Sequence, residues 1–162
     1  MSYRVGIVMG SDSDLPVMRE AASVLEEFGI ESEMRILSAH RTPRLAAEYA
    51  ETAADRGLCA IIAGAGGAAH LAGAMAASTP LPVIGVPIQS SALNGLDALL
   101  ATVQMPSGVP VATVAINGAR NAGILAAQII GATDPNMRSK VAAFKKRMAD
   151  QVVAKNERIA TN

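Results

Sequence analysis

A doubly wound α/β domain of three layers, a five-stranded parallel sheet between helices, is the fold this sequence predicts. Two observations predict it. Short, almost wholly apolar runs recur along the chain, and each is followed by a loop of small residues and then by a stretch with helical spacing. Strands alternating with helices make parallel crossover units, which place helices on both faces of one sheet.

Tyr3–Met9 (YRVGIVM) is the first strand and ends at Gly10. From Asp14 to Phe28, residues Met18, Ala21, Ala22, Leu25 and Phe28 share one helical face, and Gly29 supplies the stop. Met34–Leu37 forms the core of a second strand, after which Thr42 caps a helix that begins at Pro43 and stops at Gly57. Leu58–Ala63 (LCAIIA) and Pro82–Val86 (PVIGV) are the third and fourth strands, each leading through a small-residue loop into a helix. Val111–Ile116 is the fifth, ahead of a helix from Ala119 to Ile130. Asp134-Pro135 opens a last helix of about 23 residues, roughly 35 Å long, on which Met137, Val141, Phe144, Met148 and Val152 make a narrow apolar stripe. The expectation is a single domain over residues 1–162. Its core is 1–133, and its C-terminal helix, 134–162, packs on a neighbouring subunit.

The charge balance narrows the function classes. Fourteen basic residues against fourteen acidic ones give a net charge of zero, so no global field draws the chain to nucleic acid or to an anionic membrane. The absence of Trp, with two Tyr and two Phe, leaves no aromatic platform for stacking bases. A single cysteine, Cys59, makes no internal disulfide and lies in an apolar strand, where a core thiol is expected rather than a nucleophile. The opening MSYRVGIVMG meets polar residues too soon for a secretory signal, and a soluble cytoplasmic protein is expected. From Gly57 to Ala119 the only formally charged side chain is Asp97. The uncharged window Leu58–Ala77 is mainly Ala and Gly, contains His70 and precedes Pro80 and Pro82, so it does not read as a membrane span. One small chain has too much surface to hide so long a segment alone, which points to a homo-oligomer. Asp97 reads as a helix-surface or interface residue.

Ligands of open parallel sheets bind beyond the carboxyl ends of the strands, and that rule selects four loops: residues 10–14, 38–43, 64–71 and 87–93. They hold both histidines of the chain. In the first, Gly10, the hydroxyls of Ser11 and Ser13, and backbone N–H groups at a helix start suit an anion such as phosphate. Asp14 there caps the helix or accepts from a ribose diol. In the second, Ser38 and Arg41 flank His40, and the Arg fork matches phosphate oxygens beside a group able to move protons. In the third, Gly66, Gly67 and Ala68 let backbone approach a flat ligand, with His70 and Leu71 following. GAGGAAHL lacks the spacing of a dinucleotide fingerprint, and two histidines without Cys or carboxylate at ligand spacing leave no metal site. No aromatic residue lies in these loops to sandwich a flavin, and no Lys occurs before Lys140 to complete a receiver domain.

Five motifs, VMGSDSD (Val8–Asp14), SAHRTP (Ser38–Pro43), AGAGGAAHL (Ala63–Leu71), GVPIQSSAL (Gly85–Leu93) and QMPSGVPV (Gln104–Val111), carry a resemblance. In order and over nearly the whole chain they resemble the N5-carboxyaminoimidazole ribonucleotide mutase family of bacterial purine biosynthesis. The resemblance implies a flavodoxin-like fold, a homo-octamer with sites where subunits meet, and transfer of a carboxyl group from the exocyclic nitrogen of an aminoimidazole ribonucleotide to C4 without ATP, metal or other cofactor. By the same resemblance His40 transfers the proton, and Ser11, Ser13, Asp14, Ser38 and Arg41 hold the ribose phosphate. Gly66, Gly67, Ala68, His70 and Leu71 hold the base and the migrating carboxyl. It further implies functional coupling to the ATP-dependent synthetase that makes the substrate. The loop Gln104–Pro110 and the C-terminal helix are candidate lids over the enclosed CO2. A related branch carboxylates aminoimidazole ribonucleotide directly with CO2; it tends to carry Lys where this chain has Arg41, which favours the mutase.

Overall fold

A computed structural model of the chain describes residues 2–160; the expected domain and its last helix run past these limits at both ends. Five parallel strands lie in the order β2-β1-β3-β4-β5, with β1 Arg4–Met9, β2 Glu31–Ile36, β3 Leu58–Gly66, β4 Val83–Ile88 and β5 Ala112–Thr113. Six helices connect or follow them: α1 Leu15–Phe28, α2 Pro43–Glu51, α3 Leu71–Ser78, α4 Leu96–Val103, α5 Ala119–Gly131 and α6 Pro135–Ala160. The three-layer, doubly wound architecture is the one the sequence predicts.

Alternation along the strands divides the core in two. Val5, Ile7 and Met9 of β1 point to one face, where a row of paired residues, Met34, Ile7, Ile62 and Ile84, runs across the sheet. Helices α1, α5 and α6 cover that face. Val8, Ile61, Ala63 and Val83 point to the other, under Ala46, Tyr49 and Ala50 of α2 and Leu71, Ala72 and Met75 of α3. Central strands buried on both faces have no polar side to show, which is why their sequences read as unbroken apolar runs. On the first face α1 and α5 pack so closely that a Cβ at Gly123 would overlap the Val24 side chain and press on the Ala21 carbonyl.

The structure moves several boundaries. β2 starts at Glu31, earlier than the apolar core at Met34 indicates, because an edge strand can carry polar residues: Ile36 is 56% exposed. β3 continues through Gly64–Gly66, residues expected in a loop, since these small residues give close neighbours room; a Cβ at Gly64 would strike Met18. β5 shrinks to Ala112–Thr113, because the chain leaves the edge of the sheet after Val114 donates to Gly85. The apolar stripe of α6 also splits. Met137, Val141 and Phe144 are buried in this chain's own core, where the Phe144 and Phe28 rings lie 5.3 Å apart, whereas Met148 and Val152 stay exposed. Lys140 Nζ donates to the Phe28 carbonyl at 2.7 Å, at the end of α1 where Gly29 turns left-handed with φ 73°. The expected seam for a neighbour is therefore used within the chain over its first half. Burying three side chains of this size contributes on the order of 1.5–3 kcal/mol each.

Among the described residues no helix is long and apolar enough to cross a membrane.

Candidate active site

The carboxyl ends of β1 to β4 open into one cleft of about 540 Å3, lined by parts of all four loops that the topology selects. Ser11, Ser13, Asp14, Ser38, His40, Arg41, Gly66, Ala68, His70 and Leu71 border it. Gly67 does not line the cleft. With φ 58° it makes the left-handed turn that lets Ala69 donate to its carbonyl and His70 to that of Ala68, so its contribution is to aim the loop.

After β1, Ser11 is extended and its Oγ accepts from Ser13 N at 3.4 Å, which starts a short 3-10 turn, Asp12–Asp14, ahead of α1. Asp14 occupies the N-cap position, yet its side chain makes no cap bond and is only 7% exposed, with the Ser13 hydroxyl 3.4 Å from Oδ1. Burial raises its carboxyl above the ordinary Asp value, against hydrogen bonds from Ser11, Ser13 and Gly10 that favour the charged form.

The turn after β2 is braced on itself. Thr42 sits at the N-cap of α2 but its hydroxyl does not cap the helix; it accepts from Ser38 N at 3.0 Å and donates to Ser38 O at 3.1 Å. Ser38 Oγ accepts from Arg41 N at 3.1 Å and from Arg41 Nε at 3.4 Å, while Arg41 Nη2 donates to Gly10 O at 3.1 Å. The guanidinium is thereby tied to the β1 loop, and its Nη1 has no hydrogen-bond partner among the described residues. Arg41 and Ser38 also border a second hollow of about 460 Å3 beside Ser11 and Asp12.

His40 and His70 come from different loops and meet across the cleft. His40 Nε2 lies 2.7 Å from His70 Nδ1, with the rings edge to face at 81°. One nitrogen must donate and the other accept, so the arrangement is chemically able to carry a proton between two loops but cannot keep this bond with both rings doubly protonated. Both residues are exposed. His70 can serve in this way because, at the N-cap of α3, its side chain makes no cap bond. It also borders a hollow of about 500 Å3 with Gly73, Leu100, Gln104 and Met105.

Sequence reasoning missed Gln89 and Ser90, which line the cleft from the end of β4. Strand topology had already marked their loop, and a polar pair directly after an apolar strand was the available signal. Ser90 Oγ donates to Asp97 Oδ2 at 3.3 Å, so the lone charge of the central segment holds a cleft residue. Within this chain neither the loop Gln104–Pro110 nor α6 lines the cleft: Gln104 and Met105 line the neighbouring hollow, and the buried stripe of α6 packs against this chain's own core. Among the described residues no three of His, Cys, Asp and Glu gather at metal-ligand range.

A doubly wound sheet whose strand ends carry an anion-binding turn, a tethered arginine, a buried carboxylate and a histidine pair defines a flavodoxin-like protein with a cleft suited to a phosphorylated small molecule. Comparison makes the assignment particular. A sequence model of the family "AIR carboxylase" matches residues 4–151, and the chain belongs to that family. It is 62% identical over 156 residues to the N5-carboxyaminoimidazole ribonucleotide mutase of Thermotoga maritima, covering 96% of this chain and 91% of that protein. To the mutase of the same name from Mycobacterium tuberculosis it is 61% identical over 153 residues, covering 94% and 88%. The crystal structure of Treponema denticola PurE superposes with a TM-score of 0.86 at 30% identity, covering 96% of this chain and 97% of that one.

Proposed function

We propose that this chain is an N5-carboxyaminoimidazole ribonucleotide mutase, which moves the carboxyl group of its substrate from the exocyclic nitrogen to C4 of the imidazole in purine biosynthesis. The observation that carries the reading is the His40–His70 bond at 2.7 Å beside the tethered Arg41, in a chain about 60% identical to proteins of that name. Arg41, Ser11, Ser13 and Ser38 hold the phosphate, Asp14 accepts from the ribose hydroxyls, and the backbone from Gly66 to Leu71 carries the base.

In the reaction the carbamate N–C bond breaks and CO2 is released inside the cleft, while the electron pair stays on nitrogen, which takes a proton from the His40 imidazolium and leaves it as neutral imidazole. C4 then attacks the retained CO2, a C–C bond forms, and the C4 proton passes back to His40. The group is reset after each turnover, and His70 holds the ring on the side away from the reacting atoms. No ATP or metal enters the balance.

Such chemistry needs CO2 kept in and water kept out, and a second copy of the chain is the proposed cover. Leu96, Leu100 and Val103 along α4, with Leu93 in the turn ahead of it, are all about half exposed and recur at three- and four-residue intervals, and Leu100 lines the hollow that His70 borders. That stripe supports a homo-oligomer, and the octamer implied by family resemblance is the proposed form. The proposed setting is the cytoplasm, coupled in function to the synthetase that makes the labile carbamate. Two assays without ATP or metal test the activity, one with the N5-carboxylated ribonucleotide and one with aminoimidazole ribonucleotide plus CO2. Conversion of the first alone at low CO2 is expected; preference for the second replaces the reading with direct carboxylation. Native mass spectrometry reads the assembly, and a monomer at micromolar concentration overturns the proposed cover.

A further inference from the structure

Two amides at the end of β4 fix each other's direction. Asn117 lies beyond β5 with φ 58°, a left-handed conformation that side chains other than Asn and Asp seldom adopt. Its N–H donates to the Pro87 carbonyl at 2.8 Å, its Oδ1 accepts the backbone N–H of Gln89 at 2.9 Å, and its Nδ2 donates to Gln89 Oε1 at 3.3 Å. A backbone N–H is always a donor, so it settles which end of the Asn117 amide is oxygen. The nitrogen then faces Gln89, which must answer with its own oxygen. What remains is Gln89 Nε2, a donor without an acceptor among the described residues, on an exposed side chain lining the cleft. The adjoining residue is held too, by the Ser90–Asp97 bond.

Position along the cleft says what this donor meets. In sheet order the loops of β2, β1, β3 and β4 bring Arg41, Asp14, His70 and Gln89. Three strand spacings make roughly 14 Å, enough for a phosphate, a ribose and a five-membered ring laid end to end. With the phosphate at Arg41, Gln89 stands at the opposite end, where the base presents its carboxylate.

On the mutase reading, we propose that Gln89 is a further substrate-binding residue whose side-chain N–H donates to the carboxylate on the base, and that Asn117 is the positioning residue that sets the amide's direction. Asn117→Asp tests the direction itself. The aspartate keeps an acceptor for the Gln89 backbone N–H but offers oxygen to the Gln89 side chain, which turns its nitrogen inward and its oxygen toward the substrate. The kcat/KM for the N5-carboxylated ribonucleotide should fall about tenfold or more, the loss of one hydrogen bond to a charged group, mostly through KM. Ribose 5-phosphate, which lacks the base, should inhibit with an unchanged constant. Asn117→Gly, which keeps the left-handed turn and the bond to Pro87, should cost less than the aspartate. Gln89→Ala and the isosteric Gln89→Glu should match or exceed the aspartate's loss, with melting temperatures near that of the wild type. In a Gln89→Ala background Asn117→Asp should have no further effect.

A loss that persists in that background marks the new charge, not the amide, and overturns the proposal. So does unchanged kcat/KM in Gln89→Ala, or a shift for ribose 5-phosphate in step with KM. In each of those cases an active wild type leaves the mutase reading standing. A wild type inactive on the carbamate substrate overturns both.

Discussion

Replacing His40 by Asn separates turnover from binding. The imidazole is exposed and its one side-chain hydrogen bond goes to His70, so its loss should change folding stability by no more than about 0.5 kcal/mol and the melting temperature by about 2 °C or less. The proposed phosphate anchor does not depend on the ring: Arg41 is held through Ser38 Oγ and the Gly10 carbonyl, and the turn is braced by Thr42. Affinity for the carboxylated product should therefore change by no more than about fivefold, the worth of one net hydrogen bond. A positioned proton carrier contributes about 100- to 10,000-fold to rate, or roughly 3–5 kcal/mol of barrier. The margin between the two effects exceeds any structural side effect of an exposed substitution. Single-turnover conversion of the N5-carboxylated ribonucleotide and calorimetric binding of the product are the assays. Equal losses in rate and affinity, or retention of more than a tenth of the rate, would refute the proton-carrying role.

Arg41→Ala should weaken binding of the phosphorylated substrate about tenfold or more, the loss of hydrogen bonds to a charged group, with a smaller effect on kcat; an unchanged KM contradicts the phosphate assignment. Because burial lifts the Asp14 carboxyl above the ordinary Asp value, nucleotide affinity should fall on mild acidification, before typical carboxylates titrate, and Asp14→Asn should remove that dependence; a pH-independent wild-type affinity counts against the ribose contact. Burial works against the charged form of Glu33, but the Arg56 and Tyr49 hydrogen bonds and the charges of Arg56 and Arg4 outweigh it and hold the carboxyl below the ordinary Glu value. A carboxyl depressed in the folded state stabilises fully above its unfolded value, and that contribution fades as pH falls through the folded one, so acid melting should show this loss. Glu33→Gln should cost about 1–3 kcal/mol at neutral pH and flatten the acid limb, and an unaltered limb speaks against the network.

The fold was legible wherever both faces of a strand are buried. β3 and β4 announce themselves as apolar runs because nearly every position on them is buried, and their alternation with helices marks them as parallel. Legibility failed at the edges. β2 presents Glu31, Glu33 and Arg35 to solvent or to ion pairs, so its polar start looked like loop; β5 looked longer than it is because the apolar run continues to Ile116 although the chain leaves the sheet after Val114 bonds Gly85. The stripe of α6 was real as a period, but a period does not name its partner. Phe28 and Lys140, more than 100 residues apart, decide that its first half stays on its own chain.

The site divides the same way. Residues proposed to act through their own chemistry, His40, Arg41, Asp14 and His70, stood out as polar groups in loops at strand ends, and all four line one cleft. Residues that act through another's geometry did not. Asn117 reads as an ordinary turn residue until its amide is seen to span 28 positions to Gln89, and Asp97 reads as surface until Ser90 is found against it. Neither contact is local, and neither leaves a period or spacing in the chain. The direction of the Gln89 amide is set by a backbone N–H that every non-proline residue has, so no residue type could have signalled it. Asn117 has a left-handed backbone, and from it the side chain meets Gln89 at the end of β4.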